Sequence, residues 1–446
     1  MEIKEIKKKV LAAIDEHQEE IIRLGEDVYC HPELGYKELF ATEAMEKAFA
    51  SLGVETEKNI AYTGCKASVK GKEKGPKIDI MGELDSITCP EHPDATKDGN
   101  VHACGHNVQL ANLFGAAAGL IGSGVMKELS GAVDFVAIPA EECVDLLYRE
   151  NLKKEGKISF VGGKQEYLSR GSLDDTDIVL QCHMMEMEKG KRCILDMKCT
   201  GFMTKTVKFI GKSAHAGFAP QDGVNALNMA ELAMNNIHAI RETFLDEDKV
   251  RVSMIMQEGG SLVNVVPSVV TMEIMVRAFT IPAILDANKK VSRALKAAAF
   301  AIGGQVEITD NVGYLPLSTD PALSSLYKEN MIEFAGANED SFVNVVETAG
   351  STDLGDISLM KPCMHIWSGG ITGGLHTGDY RMKDKIEAYV TPAKMLALTI
   401  VDLLYNNGEK ASKIISDFKP EFTTQTWREL MDKYSTVELF DGAMLY

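Results

Sequence analysis

No stretch of this sequence approaches the roughly 20 consecutive apolar residues needed to cross a bilayer, so no membrane-spanning helix and no membrane partner are expected. The opening residues, MEIKEIKKKVLAAIDEHQEE, carry too many charges for the apolar centre of a secretory signal, which points to a cytoplasmic protein. The nine cysteines (30, 65, 89, 104, 143, 182, 193, 199 and 363) are odd in number and contain no C-x-x-C pair, so neither a disulfide framework nor a zinc ribbon is expected. An excess of basic charge is lacking too. The 47 Lys and Arg against 65 Asp and Glu leave a formal charge of -18, which argues against nucleic acid as a partner. Proline is scarce, 13 against 38 glycines, and there is no low-complexity tract or internal repeat, so tight turns are expected without disorder.

What is present is a chain of 446 residues, 45% apolar, which is more than one hydrophobic core normally serves. Ile3, Ile6, Val10, Ala13, Ile14, Ile21 and Leu24 recur at mostly helical spacing, and a second helix is expected from Glu38 to about Leu52. Strand-like runs follow around Val54, Ala67 and Ile78–Met81, and Asn107–Gly122 reads as a helix rich in small residues. Val133–Pro139 and Ile178–His183 have the length and composition of buried parallel strands. Groups just after them would lie at strand C-terminal ends, where open α/β sheets carry their sites.

From about Lys198 the texture changes to alternating strands with helices at 223–241 and 281–301, a separate α+β unit. After Gly303 come a strand at 305–308, a helix near 322–334, a strand at 363–367 and a helix from Lys383 to about Leu404. The expected architecture is α/β: a mixed, largely parallel sheet with helices on both faces, built from residues 1–197 and 304–446. A smaller α+β domain, 198–303, is inserted into it. The last 25 residues are weakly patterned and read as a surface wrap.

The strongest local pattern is Asn100-Val-His-Ala-Cys-Gly-His-Asn107, in which His102, Cys104 and His106 recur every second residue before a helix. A thiolate and imidazoles suit zinc or a similar divalent ion, and a helix N-terminus is expected to favour the thiolate of Cys104. Taken alone, the segment fits equally well a buried cysteine and two histidines capping a helix. Ile138-Pro-Ala-Glu141-Glu142 ends an apolar strand in adjacent carboxylates whose side chains diverge, so that one can ligate a metal while the other acts as general base. His183 ends another buried run, and His376 sits in the glycine-rich Gly369-Gly-Ile-Thr-Gly-Gly-Leu-His-Thr-Gly378. Four segments thus deliver donors to one inferred layer. Five donors exceed the three-plus-water of a single catalytic zinc, which points to a metal pair sharing a ligand, with Cys104 as the bridge.

Together His31-Pro-Glu-Leu-Gly35 with Glu38, Gly82-Glu-Leu-Asp85, His102-Ala-Cys-Gly-His106-Asn, Ala140-Glu-Glu142, His183, Gly211-Lys-Ser-Ala-His215-Ala, Asn264-Val-Val-Pro267, Gly350-Ser-Thr-Asp353 and Leu375-His-Thr-Gly378 form an ordered set. It resembles the aminoacylase/carboxypeptidase metallopeptidase superfamily, in particular its amidohydrolase branch of hippurate, indoleacetyl-amino-acid and p-aminobenzoyl-glutamate hydrolases. The resemblance implies two divalent ions, Zn or Mn, held by Cys104, His106, Glu142, His183 and His376, with Glu141 as general base. It also implies a dimerising inserted domain and a homodimer. His215 would reach the partner's site to stabilise an oxyanion, and Asn264 and Arg277 would bind the substrate carboxylate. The implied reaction is hydrolysis of an amide bond in a small N-acyl amino acid or dipeptide.

The chain departs from that branch in two places: many members have Asp-x-Asp where Glu83-Leu-Asp85 stands, and a second Gly-His where Asn107-Val-Gln109 stands. Asn107 supplies no charge, which bears on metal affinity. The segments 83–101, with Cys89 and His92, and 143–173, with Tyr148, Arg149, Lys153 and Lys154, are open in role; the second reads as a lid or a basic solvated loop. A catalytically silent binding or regulatory subunit of a heteromeric amidohydrolase is the alternative from another class, and the intact donor set weighs against it. A zinc nucleobase deaminase would need a P-C-x-x-C element that is absent.

Overall fold

The computed structural model describes residues 1–445 and divides the chain into two compact units. The first comprises Met1–Lys198, Ser318–Glu347 and Asp356–Thr424; the second comprises Cys199–Leu317, Thr348–Gly355 and Gln425–Tyr446.

Thirteen strands build the two main sheets: β1 (Thr56–Ile60), β2 (Gly64–Lys70), β3 (Glu73–Glu83), β4 (Ser130–Ile138), β5 (Ile178–Met184), β6 (Cys193–Cys199), β7 (Gly201–Ile210), β8 (Arg251–Glu258), β9 (Val269–Ala278), β10 (Gln305–Val312), β11 (Phe342–Thr348), β12 (Cys363–Ser368) and β13 (Thr436–Asp441). The first unit carries an eight-stranded sheet in the order β1-β2-β4-β3-β5-β12-β6-β11. Its centre, β4-β3-β5-β12, is parallel, while β1, β2 and β6 pair antiparallel. This is the expected mixed α/β sheet, and every residue of β5 is buried, as a central strand covered on both faces requires.

Side-chain alternation explains the two faces. Ile78 and Ile80 of β3 join the core formed with Ile6, Val10, Ile14 and Leu113, whereas Asp79 turns the other way and accepts from Tyr167 Oη of the helix Gly163–Ser169 at 3.0 Å. The helix His106–Gly122 is buried from His106 to Leu120 because helices lie against it as well as the sheet. Its small residues permit that closeness: a Cβ on Gly115 would meet Ala393 Cβ at 2.6 Å. No single helix among the described residues is long and apolar enough to cross a membrane.

The second unit has a five-stranded sheet, β8-β9-β7-β10-β13, with all four pairings antiparallel. Its core joins alternate residues such as Val207, Phe209, Val270, Met272, Ile274 and Val306 to the helices Ala226–Ala239 and Ile281–Ile302. Three stretches read from sequence with the larger domain are found here, Thr348–Gly355 among them. β10 extends to Val312 in this sheet, and the last 25 residues, rather than wrapping the surface, supply edge strand β13, paired with β10 from Gln305↔Asp441 to Asp310↔Thr436.

Candidate metal centre

Four segments converge at the C-terminal ends of the parallel strands. Glu83 ends β3 and Asp85 follows it; after β4 come Glu141 and Glu142; at the end of β5, His183; and after β12, the loop bearing His376. Cys104 and His106 enter through the turn before the helix His106–Gly122, where Gly105 takes a left-handed φ of +81° that favours glycine.

The donor atoms of Cys104, His106 and His183 lie within 4.8 Å of one another, as do those of Cys104, Glu142 and His376. Cys104 belongs to both groups, and its Sγ lies 3.6 Å from His183 Nε2. A third group joins Glu83, His106 and Glu141. His102, on the same extended segment, lies outside these groups, buried with neither ring nitrogen hydrogen-bonded.

The orientation of His106 is fixed from behind. Its Nδ1 donates to the carbonyl of Asp85 at 2.7 Å, so Nε2 is the ring nitrogen turned to the site. That nitrogen has no hydrogen-bond partner, although Glu83 Oε2 is 3.1 Å away and Glu142 Oε1 4.0 Å. Glu142 Oε1 lies 2.8 Å from His376 Nε2, also without hydrogen-bond geometry. Carboxylate oxygens and ring nitrogens converging at these separations suit a cation. His183 packs on Trp367 with ring centroids 4.1 Å apart, and its Nδ1 donates to the Met184 carbonyl at 2.9 Å, leaving Nε2 towards Cys104.

The local field amplifies that need. Burial, followed by the carboxylates of Glu142 and Glu141, pushes the Cys104 thiol well above its ordinary value. The expectation that a helix N-terminus favours the thiolate is therefore corrected: the dipole is weaker than desolvation plus neighbouring negative charge, and a bound cation is what would deprotonate Cys104. Burial works against charge on His106, yet Glu83 and Asp85 prevail and raise it to about 9. Burial also works against ionised Glu142, but His376 and His106 hold its carboxyl below the ordinary value.

The turn carrying Glu141 and Glu142 is held tightly. Ala140 has a left-handed φ of +56°, unusual for a residue with a side chain. Its N–H donates to Glu38 Oε1 at 2.9 Å and its carbonyl accepts from Gly163 N at 3.0 Å. Glu142 N donates to Asp85 Oδ2 at 2.9 Å. Arg149 completes the clamp by donating to the carbonyls of Ala140 (3.3 Å), Val161 (2.8 Å) and Glu142. Arg149 is 0% exposed. The reading of 143–173 as a lid or solvated loop thus fails at this residue, which is a buried support of the site. The segment 83–101 packs on the loop of His376: Cys89 Sγ approaches the His376 carbonyl at 3.7 Å, and His92 Nε2 lies 2.9 Å from the Tyr380 carbonyl.

Sequence reasoning missed Arg149, Lys164 and the inward reach of Glu83. Lys164 is 0% exposed and sits 2.5 Å from Glu83 Oε1. The available signal was helical spacing: Leu146 and Leu152 lie three residues either side of Arg149, and Tyr167 and Leu168 follow Lys164 by three and four.

His215, Asn264 and Arg277 belong to the second unit. His215 is exposed, and the chain beside it pairs with the 264–265 segment through an isolated bridge to Val265 and the bond Ala216 N to Asn264 O at 3.0 Å. His215 Nδ1 accepts from Gly217 N (3.2 Å) and Phe218 N (3.0 Å). Arg277 donates to Ser351 Oγ at 2.7 Å and Ala349 O at 3.2 Å, with its guanidinium 5.2 Å over the Phe202 ring. Arg277 thus meets the Gly350-Ser-Thr-Asp353 motif within one unit.

Comparison with known proteins matches this arrangement. The profile of peptidase family M20/M25/M40 matches residues 80–402. Human Xaa-Arg dipeptidase is 28% identical over 445 residues, covering 94% of this chain and 93% of the relative. Hippurate hydrolase of Campylobacter jejuni is 24% identical, covering 83% of this chain and 94% of the relative. Among solved structures, a Bacillus subtilis dinuclear metal-binding peptidase of the M20 family superposes with a TM-score of 0.69 at 22% identity, covering 87% of this chain and 99% of that one. An aminobenzoyl-glutamate utilization protein from Klebsiella pneumoniae superposes with a TM-score of 0.66 at 17% identity, covering 89% and 98%. With the profile spanning more than half of the chain and the motifs falling on the converging donors, the protein belongs to peptidase family M20/M25/M40.

Proposed function

We propose that this metal-dependent amidohydrolase cuts the amide bond of small N-acyl amino acids or dipeptides at a pair of divalent ions held by Cys104, His106, Glu142, His183 and His376. The carrying observation is that Cys104 belongs to two donor groups at once, as a bridging ligand must. The family membership, the relatives named Xaa-Arg dipeptidase and hippurate hydrolase, and the dinuclear peptidase of like fold support the same reading. The thiolate favours zinc over manganese.

Bound there, the ions would act as Lewis acids on the scissile carbonyl and acidify the attacking water. Glu141, beside the ligand Glu142 on a clamped turn, takes the water's proton and delivers it to the leaving amine. His215 accepts two backbone N–H groups at Nδ1, so its proton resides on Nε2, the form needed to donate to a developing oxyanion. That histidine serves the neighbouring chain of a homodimer. In support, β8 ends its sheet, and Ile255, Met256, Leu262 and Val263 are exposed beside it. Arg277, braced by Ser351 and Phe202, and Asn264 hold the substrate carboxylate.

The test is a panel of N-acyl amino acids, dipeptides ending in arginine and p-aminobenzoyl-glutamate, run with wild type and Glu141→Gln. Hydrolysis should fall at least ~100-fold in the variant, with metal content and substrate affinity near wild type. Equal turnover would remove Glu141 from the chemistry. Binding of the panel without hydrolysis by metal-loaded wild type would favour the silent-subunit alternative.

A further inference from the structure

The side chain of Glu83 is not explained by the five-donor centre. It is 1% exposed, at the C-terminal end of β3, and its two oxygens are engaged asymmetrically. Oε1 accepts from Lys164 Nζ at 2.5 Å and Gln181 Nε2 at 2.6 Å. Oε2 accepts from Gln109 Nε2 at 2.5 Å and points its remaining lone pair at His106 Nε2, 3.1 Å away. With Nδ1 of His106 committed to the Asp85 carbonyl, Nε2 is the nitrogen that would give up its proton to a bound ion. A carboxylate oxygen and a ring nitrogen at that separation suit two ligands of one ion, and Glu141 completes the same donor group.

We infer that Glu83 is a sixth protein donor of the metal pair, ligating through Oε2 the ion that His106 holds. The inference rests on the metal-centre reading above. Three features distinguish Glu83 from a carboxylate that only orients a histidine. Such a carboxylate accepts from the ring nitrogen turned away from the metal, and for His106 that place is taken by the Asp85 carbonyl. Glu83 instead faces the ligating nitrogen. It also shares one donor group with His106 and Glu141. Finally, the other oxygen is locked by Lys164 and Gln181, which fixes the carboxylate plane and leaves Oε2 to bind. Lys164, buried with it, offsets the charge that a further carboxylate brings to a site already holding Glu141, Glu142 and Cys104.

The experiment is cobalt(II) titration of the full-length, chelator-stripped protein, followed by absorption spectroscopy and by competition with a chelator. Wild type should bind two equivalents with a thiolate-to-cobalt charge-transfer band from Cys104 and visible ligand-field bands. Glu83→Gln should keep the charge-transfer band, shift the ligand-field bands, and weaken one equivalent by more than ~100-fold, beyond the usual effect of losing an orienting group. Because Glu83→Gln leaves Lys164 buried without its carboxylate, the paired variant Glu83→Gln/Lys164→Met is measured alongside, and should show the same spectral shift. Ligand-field bands and both affinities unchanged from wild type in either folded variant would overturn the assignment. Cys104→Ser separates the two levels. It should abolish the charge-transfer band, and if the band survives, the metal-centre reading falls and Glu83 with it.

Discussion

Replacing Arg149 by methionine removes the clamp on the Glu141–Glu142 turn while keeping most of the side-chain volume. The guanidinium donates to three carbonyls, those of Ala140, Val161 and Glu142. Two of the three keep a second partner when it goes, since Gly163 N still reaches Ala140 O and Val144 N still reaches Glu142 O. Charged hydrogen bonds to buried carbonyls contribute about 1.5–3 kcal/mol each, and removing the desolvated cation recovers part of that. The net loss expected is about 2–4 kcal/mol. The larger effect should be on turnover. Ala140 sits at a strained φ of +56°, and releasing it lets Glu141 swing away from the site. A misplacement of about 1 Å costs roughly 100-fold. Urea denaturation gives the first quantity, and kcat on the best dipeptide the second. Arg149→Lys, which keeps charge but not the planar fork, should recover less than half of the lost stability. Stability within about 0.5 kcal/mol and kcat within about two-fold of wild type would refute the clamp.

Burial, and then Asp134, raises Asp79 from 3.8 to about 7, so the folded state binds a proton that the unfolded state releases. The stability this group contributes is full below about pH 4 and is lost as pH rises through about 7. Asp79→Asn should therefore be more stable than wild type at pH 8 by about 1–3 kcal/mol, with the gap closing at pH 5; parallel urea midpoints at both values would contradict this. Gly115→Ala sets helix propensity, a gain of about 1 kcal/mol, against the 2.6 Å approach of a new Cβ to Ala393. The clash should win, lowering the thermal midpoint, and a raised midpoint would show that the helices can part at little cost. If His215 acts across a homodimer, mixing inactive Glu141→Gln with inactive His215→Ala should restore activity at about a quarter of the sites. No recovery after subunit exchange would rule out action in trans.

The sequence by itself determined which side chains could carry chemistry and on what frame. β-branched runs such as Ile178–His183 have the length and composition of buried central strands, so the donors that end them were expected at the sheet's C-terminal edge, where Ala140-Glu-Glu142 and His183 lie. Gly105 before His106 supplies the left-handed turn that opens the helix, a conformation glycine takes without strain. Tertiary structure alone decided what partners each group meets. Long-range antiparallel pairing is read weakly from alternation, because an alternating strand fits any half-buried sheet; β10 and β13 accordingly joined the second sheet. Lys164 and Arg149 look like surface cations, since charged residues are rarely buried unless paired. Their pairing comes from residues 81 positions away in one case, Glu83, and from a strained turn in the other. The state of Cys104 followed the same logic. Its place before a helix was legible, but burial, and then three carboxylates from β3 and the turn after β4, set its charge, and electrostatics in a buried site depends on distances that only the folded chain defines.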